Sequence, residues 1–257
     1  MAFALTILIM VSTLAARQAK PTGPPVKNVR VQNVRAKIAY DPTDRYKVQQ
    51  VQGWSVLVNK SFLETQPALA KQTLTLMREQ LRQIVRGVPA EAVKKLRTIR
   101  IWVEEKEPHH PCMTYHPNIV WLKENGMNPD KARCVEVANA REFLDWIRQQ
   151  PWMVLHELAH GYHHQFLDRG FENAEIQSAF RRATEAKRYE SVPRNNGKTE
   201  KAYAATNAKE YFAEASEAYF GTNDFYPYVR SELKKHDPDM FRLLEKLWHP
   251  VAPGSRS

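Results

Sequence analysis

The chain lacks several features that would assign it to a specialised class. Its 257 residues contain no internal repeat, no low-complexity tract and only two cysteines. The net charge is +10, but the 38 basic side chains are spread along most of the chain and form no recognised nucleic-acid motif. We therefore expect a globular protein of one large domain or two packed lobes, with a generally basic surface and no nucleic-acid partner.

The first 16 residues contain no charged side chain and are mostly apolar. This run is shorter than the ~20 residues that a membrane helix needs, and it ends in the small residues Ala15 and Ala16. Although no Lys or Arg precedes it, the pattern is typical of a signal peptide. We predict a signal peptide at residues 1–16, a flexible leader at residues 17–28, and a secreted or periplasmic protein without stable membrane insertion.

The two cysteines are Cys112 and Cys134. In an exported protein an even number of cysteines favours a disulfide. We therefore predict a bond between Cys112 and Cys134, and two separate buried thiols are the alternative.

Residue patterns divide the chain into a sheet-bearing part and a helical part. Alternating or β-branched segments predict strands at residues 29–39, 54–59, 98–104, 118–123 and 134–137. Helical spacing of apolar residues predicts helices at residues 66–86, 141–148, 151 onward, 174–189, 207–220, 226–235 and 239–248. Residues 108–117 and 191–201 read as loops. The expected fold is α+β and zincin-like: a single domain at residues 29–250, with a sheet-bearing lobe to about 150 and a helical lobe after it.

One short motif carries most of the chemical information. His156, Glu157 and His160 form the pattern H-E-x-x-H on a predicted helix. Side chains at i and i+4 lie on one helical face, so both imidazoles can reach a single zinc ion. Glu157 would then lie beside the metal, where it can take a proton from a water molecule.

The alternative without metal chemistry is a surface helix with a histidine-rich patch, because His163 and His164 follow the motif directly. The apolar residues Val154 and Leu155 before the motif argue against it, since they predict a buried helix. We interpret His163 and His164 as packing residues or as supports of the ligands, rather than as ligands. Tyr115 and His116 are weaker candidates for lining a cleft.

A catalytic zinc takes a third protein ligand. A metzincin would need Gly at position 163 and His at position 166, and a thermolysin-like ligand would lie near Phe180, so neither class fits. Glu210, Glu214 and Glu217 instead form one stripe of a mostly apolar helix. Buried carboxylates need compensating partners. We assign Glu210 to the metal, and we expect Glu214 to hold a ligand histidine through its far ring nitrogen.

An alternative keeps this helix free of metal chemistry. In it, Asn207 caps the helix, Glu210 completes a capping box, and Glu214 and Glu217 face water.

These residues resemble the metallopeptidase domain of anthrax lethal factor and its relatives. The resemblance spans roughly residues 151–220 and rests on the H-E-x-x-H helix together with residues 203–215, Tyr-Ala-Ala-Thr-Asn-Ala-Lys-Glu-Tyr-Phe-Ala-Glu-Ala. It implies one zinc ion per chain on His156, His160 and Glu210, with Glu157 as the general base. It also implies that Tyr203 stabilises the oxyanion or protonates the leaving amine.

The expected function is therefore an exported zinc-dependent endopeptidase acting on peptide or protein substrates. We expect an extended substrate to pair with an edge strand at residues 134–137. Two alternatives remain: a zinc hydrolase of cell-wall peptides or other amides, and a non-catalytic zinc-stabilised binding protein.

Overall fold

The computed structural model describes residues 40–249. The signal peptide at 1–16, the leader at 17–28 and the strand at 29–39 lie outside the described residues.

Five strands form a mixed sheet in the order β1-β2-β3-β5-β4. They are β1 (Tyr46–Val51), β2 (Trp54–Asn59), β3 (Ile101–Val103), β4 (Met113–Tyr115) and β5 (Val135–Val137). β1 and β2 form a hairpin through Gln52 and Gly53, whose φ angles of 52° and 91° suit a tight two-residue turn. β2, β3 and β5 are parallel, and β4 pairs antiparallel to β5 at one edge.

The two faces of the sheet have different surroundings, because side chains alternate along each strand. On one face Val56, Ile101 and Val135 belong to the main hydrophobic core. On the other face a small apolar cluster of Tyr46, Leu57, Trp102 and Cys134 adjoins three buried charged residues, Glu104, Lys131 and Glu136.

Most of the helices pack on the main-core side of the sheet, and helices make up most of the second half of the chain. Before the motif they are α1 (Lys60–Thr65), α2 (Pro67–Gly87), α3 (Ala90–Leu96), α4 (Ile119–Glu124) and α5 (Ala140–Trp146). From the motif onward they are α6 (Met153–Phe166), α7 (Ala174–Glu185), α8 (Ala208–Phe220), α9 (Arg230–His236) and α10 (Pro238–Trp248). The predicted loop at 191–201 contains a small hairpin of β6 (Val192–Pro193) and β7 (Thr199–Glu200).

The predicted α+β architecture, with the sheet before the motif helix and helices after it, is confirmed. Among the described residues, no helix is both long and apolar enough to cross a membrane.

The predicted strand at residues 118–123 is wrong, because this segment is helix α4. The side chain of Asn118 accepts hydrogen bonds from the backbone N–H groups of Val120 and Trp121 and so caps a helix. The preceding segment, predicted as loop, contains strand β4.

The predicted edge strand is also wrong. β5 lies inside the sheet, between β3 and β4, and the edge next to the motif helix is β4. A three-residue strand such as β4 is too short to show an alternating pattern, so it could not be recognised from its residues.

The predicted disulfide is wrong as well, since Cys112 and Cys134 are free buried thiols. Cys112 belongs to the main core, where its Sγ lies 3.8 Å from the sulfur of Met153. Cys134 belongs to the cluster on the opposite face of the sheet. The sheet therefore separates the two sulfurs.

Candidate metal centre

Helix α6 carries the motif into the centre of the molecule. Val154, Leu155, Leu158 and Ala159 are fully buried, so the helix is fixed on its apolar sides. Gly161 lets strand β4 approach closely: a Cβ at this position would lie 3.1 Å from the ring of Tyr115. The motif is thereby held between the sheet edge and helix α8.

Helix α8 begins at a cap formed by Asn207, whose side chain accepts hydrogen bonds from the N–H groups of Lys209 and Glu210. This part of the capping alternative is correct. The rest of it is wrong, because the carboxylate of Glu210 contacts the motif histidines. Glu214 and Glu217 are 2% and 0% exposed and do not face water.

The structure brings His156, His160 and Glu210 together. The Nε2 atoms of the two histidines lie 3.1 Å apart, and each lies 3.1 Å from Oε2 of Glu210. Three ligands of a tetrahedral zinc at about 2.0–2.1 Å would be separated by roughly 3.3 Å. The triangle therefore has the size that a metal site requires.

The far side of the His156 ring is fixed by another carboxylate. Nδ1 of His156 lies 2.7 Å from Oε1 of Glu217, which also accepts a hydrogen bond of 2.9 Å from Nε2 of Gln150. Glu214, the expected partner, lies 3.7 Å from the same Nδ1 and accepts a hydrogen bond from Asn223. Burial and the neighbouring charge of Glu217 raise the pKa of Glu214 well above its usual value.

This arrangement favours a bound cation. A carboxylate at Nδ1 holds the ring proton there and leaves a lone pair on Nε2 of neutral His156. That lone pair faces a second ring nitrogen and a carboxylate oxygen, and such a set of acceptors repels unless a proton or a metal lies between them. The donor set of two imidazoles and one carboxylate is one that zinc prefers.

Glu157 is outside this triangle and faces the adjacent cavity. Its Oε2 accepts a hydrogen bond of 2.7 Å from the backbone N–H of Tyr115 on strand β4. Burial raises the pKa of Glu157, and the neighbouring motif histidines oppose that shift. A carboxylate with a raised pKa beside a cation site is suited to general-base work.

Tyr203 lies on a short 3-10 turn, Tyr203–Ala205, that precedes α8. Its ring stacks on the ring of His156, with the centroids 6.3 Å apart and the planes 27° from parallel. The side chain is about half exposed and lines the cavity. Burial and the charge of Glu210 raise the pKa of Tyr203, so that it remains a hydrogen-bond donor.

His163 and His164 lie apart from the triangle. His163 is fully buried between the rings of Phe171 and Phe212, and neither of its ring nitrogens has a hydrogen-bond partner. Nδ1 of His164 lies 2.8 Å from the hydroxyl of Tyr115. His163 therefore packs in the core, and His164 supports the side chain of Tyr115.

The motif residues His156, Glu157 and His160 line an open cavity of about 880 Å³, together with Tyr203 and Glu210. Strand β4 and helices α6 and α8 form its walls, and the β6–β7 hairpin contributes Arg194 and Glu200. Arg194 bonds to Asp224 at 3.0 Å and to Glu200 at 3.2 Å. The cavity is large enough for several residues of an extended peptide.

Sequence reasoning missed two contributors to the site. Glu217 could be recognised as a candidate, since it lies on the same stripe of the helix as Glu210, but the spacing alone did not indicate its role. Gln150 lies in the irregular segment before α6 and has no motif of its own. Its contact with Glu217 depends on tertiary packing.

Comparison with known proteins gives a family match. Residues 103–247 match the model of the family described as "Anthrax toxin lethal factor, N- and C-terminal domain". No curated protein matches the sequence. Among solved structures, the chain is similar to the Pro-Pro endopeptidase PPEP-2 from Paenibacillus alvei, with 19% sequence identity and a TM-score of 0.41. That alignment covers 77% of this chain and 99% of that chain.

Proposed function

Because the chain belongs to the anthrax toxin lethal factor family, whose model matches more than half of it, we propose that it is an exported zinc-dependent endopeptidase. Membership in this family makes it a metallopeptidase that acts on peptide bonds. The finer proposal is that one zinc ion binds to His156, His160 and Glu210. The triangle of their ligand atoms, 3.1 Å on each side, is the observation that carries it.

A zinc ion held by His156, His160 and Glu210 would supply Lewis-acid chemistry, which would polarise the scissile carbonyl and favour a nucleophilic water near neutral pH. The chain's own residues supply proton transfer and orientation. Glu157 accepts the proton of the attacking water and delivers it to the leaving amine, a contribution worth typically ~10²–10⁴-fold. The hydroxyl of Tyr203 donates a hydrogen bond to the developing oxyanion. Glu217 and Gln150 hold the ring of His156 in place.

Substrate binding is proposed at the open edge of β4. The backbone groups of Cys112 and His116 bond toward β5, so by the alternation of an antiparallel strand those of Met113 and Tyr115 point to the open side. The Tyr115 N–H already contacts Glu157. An extended peptide paired with this edge would therefore pass next to the general base.

Export is a separate part of the proposal. It is supported by the uncharged apolar run at residues 1–16. Mass spectrometry of the protein recovered from the native host tests it. A mature chain that begins near Arg17 supports export, and a chain that retains residues 1–16 inside the cell contradicts it.

Digestion of a diverse peptide library, read by mass spectrometry, tests the peptidase. Wild-type protein would run beside Glu157→Gln, with zinc content measured for both. Glu185→Gln, the same change at an exposed position on α7, is the matched control. We expect cleavage by wild type and by the control, and none by Glu157→Gln at equal zinc. Zinc binding without cleavage by any form would contradict the proposal and favour a narrow amide hydrolase or a binding protein.

A further inference from the structure

A second concavity lies beside the cleft, between strand β4 and helix α4. We call it the β4–α4 pocket; its volume is about 250 Å³, and it is lined by His110, Thr114, Tyr115, His116, Pro117, Asn118 and Trp121. Four of these residues also line the main cavity: His110, Thr114, Tyr115 and Pro117. The pocket is thus continuous with the proposed catalytic cleft.

The walls of this pocket are largely aromatic. Within this set of lining residues, all of them in the described part of the chain, there is no Lys, Arg, Asp or Glu. Burial lowers the pKa of His110 to about 4, so its imidazole is neutral near pH 7. The ring of Trp121 lies 5.4 Å from that of His110, at an angle of 46°. The other lining imidazole, His116, has its Nε2 2.6 Å from the buried carboxylate of Glu136 and is thus engaged on the side away from the pocket's ligand. An apolar side chain would therefore meet the rings of His110 and Trp121.

The apolar surface around the pocket is open to solvent. On helix α4, Ile119, Val120 and Trp121 are 45%, 56% and 38% exposed, although large apolar residues elsewhere in the described chain are mostly buried. Apolar side chains exposed together beside a cleft are typical of a binding surface. Trp121 lines the pocket, and the pocket shares four lining residues with the cleft, which indicates that the occupant is the same peptide that reaches Glu157.

The register of β4 determines which substrate side chains can reach the pocket. Met113 and Tyr115 point into the main core, toward α6, whereas Thr114 and His116 point to the opposite face. A substrate strand paired with this edge alternates in the same way, because directly opposite residues share a face. The substrate residue opposite Tyr115 points toward α6, and its immediate neighbours point toward the pocket.

We propose that the β4–α4 pocket is a specificity subsite that accepts a large apolar side chain of the peptide substrate. This inference rests on the proposed function. The selected side chain belongs to a residue one or three positions away from the substrate residue that pairs with Tyr115. Selectivity is therefore expected at alternate positions, with Phe or Leu favoured over Ala and a charged residue disfavoured.

A peptide cleaved by the wild-type protein is the starting probe. Each position within five residues of the cleaved bond would be changed in turn to Phe, Leu, Ala or Asp, and kcat/KM would be measured. Dissociation constants for the same peptides would be measured with Glu157→Gln, which gives a binding readout without turnover. We expect a preference for Phe over Ala of about tenfold or more, confined to positions of one parity.

Substitution of Trp121 then identifies the subsite. Trp121→Ala should reduce the Phe-to-Ala preference to less than about threefold, and the larger loss of kcat/KM should fall on the Phe peptide. Trp121→Phe should retain the preference. Trp146→Ala, which changes an exposed tryptophan that lines the main cavity but not the pocket, should leave the ratio unchanged. Thermal unfolding checks that each variant folds.

The outcomes separate this inference from the proposed function. Suppose that peptides are cleaved, but Trp121→Ala leaves the preference intact or lowers kcat/KM equally for the Phe and Ala peptides. The proposed subsite is then wrong, and the proposed peptidase activity is still supported. Preference at adjacent positions of both parities would also overturn it. If the wild-type protein cleaves no peptide and Glu157→Gln binds none, both the proposed function and the proposed subsite are contradicted.

Discussion

The carboxylate of Glu217 lies 2.7 Å from Nδ1 of His156, on the side of the ring opposite to Glu210. Glu217 and His156 are both buried, so this contact is shielded from solvent. It fixes the orientation of the ring and the position of its proton, and it raises the basicity of Nε2. The site thus depends on a carboxylate that does not itself belong to the proposed ligand triangle.

Replacing this carboxylate should weaken metal binding. We expect Glu217→Gln to reduce zinc affinity by roughly 10- to 100-fold, because the ring of His156 loses its anionic partner. Competition with a chelating dye measures the affinity. Glu214→Gln is the matched comparison: its carboxylate lies 3.7 Å from the same nitrogen, so we expect a smaller loss. Equal losses of zinc affinity in the two variants would contradict the specific role of Glu217.

Tyr203 should matter for turnover and not for the metal. We expect Tyr203→Phe to lower kcat by about 10²–10³-fold, the cost of one oxyanion donor. The phenyl ring can retain the stacking on His156, so zinc content should equal that of wild type. Steady-state kinetics measure kcat, and metal analysis of the same samples measures zinc content. Wild-type kcat in the variant would remove Tyr203 from the mechanism.

The relative placement of side chains on a single helix was the structural feature best predicted from this sequence. The motif histidines lie on one face of α6, and Glu210, Glu214 and Glu217 lie on one stripe of α8, as helical periodicity requires. Which of the last two carboxylates meets His156 depends on how α8 is rotated against α6. That rotation is set by tertiary packing, so spacing could not distinguish Glu214 from Glu217.

The order of strands was not predictable for a similar reason. Residues 134–137 and 113–115 are both short segments, and nothing in either one indicates which lies at the edge. The same limitation affected Cys112 and Cys134. An even count of cysteines favours a bond, but these two lie on opposite faces of the sheet, and that separation is visible only when the strands are paired.

Gly161 should be required for the close approach of β4 to the motif helix. A Cβ there would lie 2.6 Å from Cδ1 of Ile99 and 3.1 Å from the ring of Tyr115. We expect Gly161→Ala to destabilise the fold by about 1–3 kcal/mol through overpacking. It should also lower kcat/KM, since Tyr115 holds Glu157. Urea unfolding and peptide cleavage measure the two effects.

A second substitution tests the cause of this loss. Ile99→Val removes the Cδ1 atom that the added methyl group would meet first. The double variant should therefore recover part of the stability lost in Gly161→Ala. If Ile99→Val and Gly161→Ala destabilise additively, the contact with Ile99 is not the origin of the effect.

His163 should make the protein sensitive to acid. Burial, with smaller contributions from the nearby charges of His160, His164 and Lys209, lowers the pKa of His163 from 6.5 to about 3. The folded state thus favours the neutral ring. The stability that this preference provides is complete above pH 6.5 and is lost as the pH falls toward 3.

Comparison with a variant that cannot titrate isolates this contribution. Between pH 7 and pH 5 the free energy of unfolding of wild type should fall by about 2 kcal/mol more than that of His163→Leu. Urea unfolding in the presence of a chelator measures it without a contribution from metal loss. The exposed His249→Gln is the control and should follow wild type. Parallel pH profiles for wild type and His163→Leu would show that the buried ring does not set the acid sensitivity.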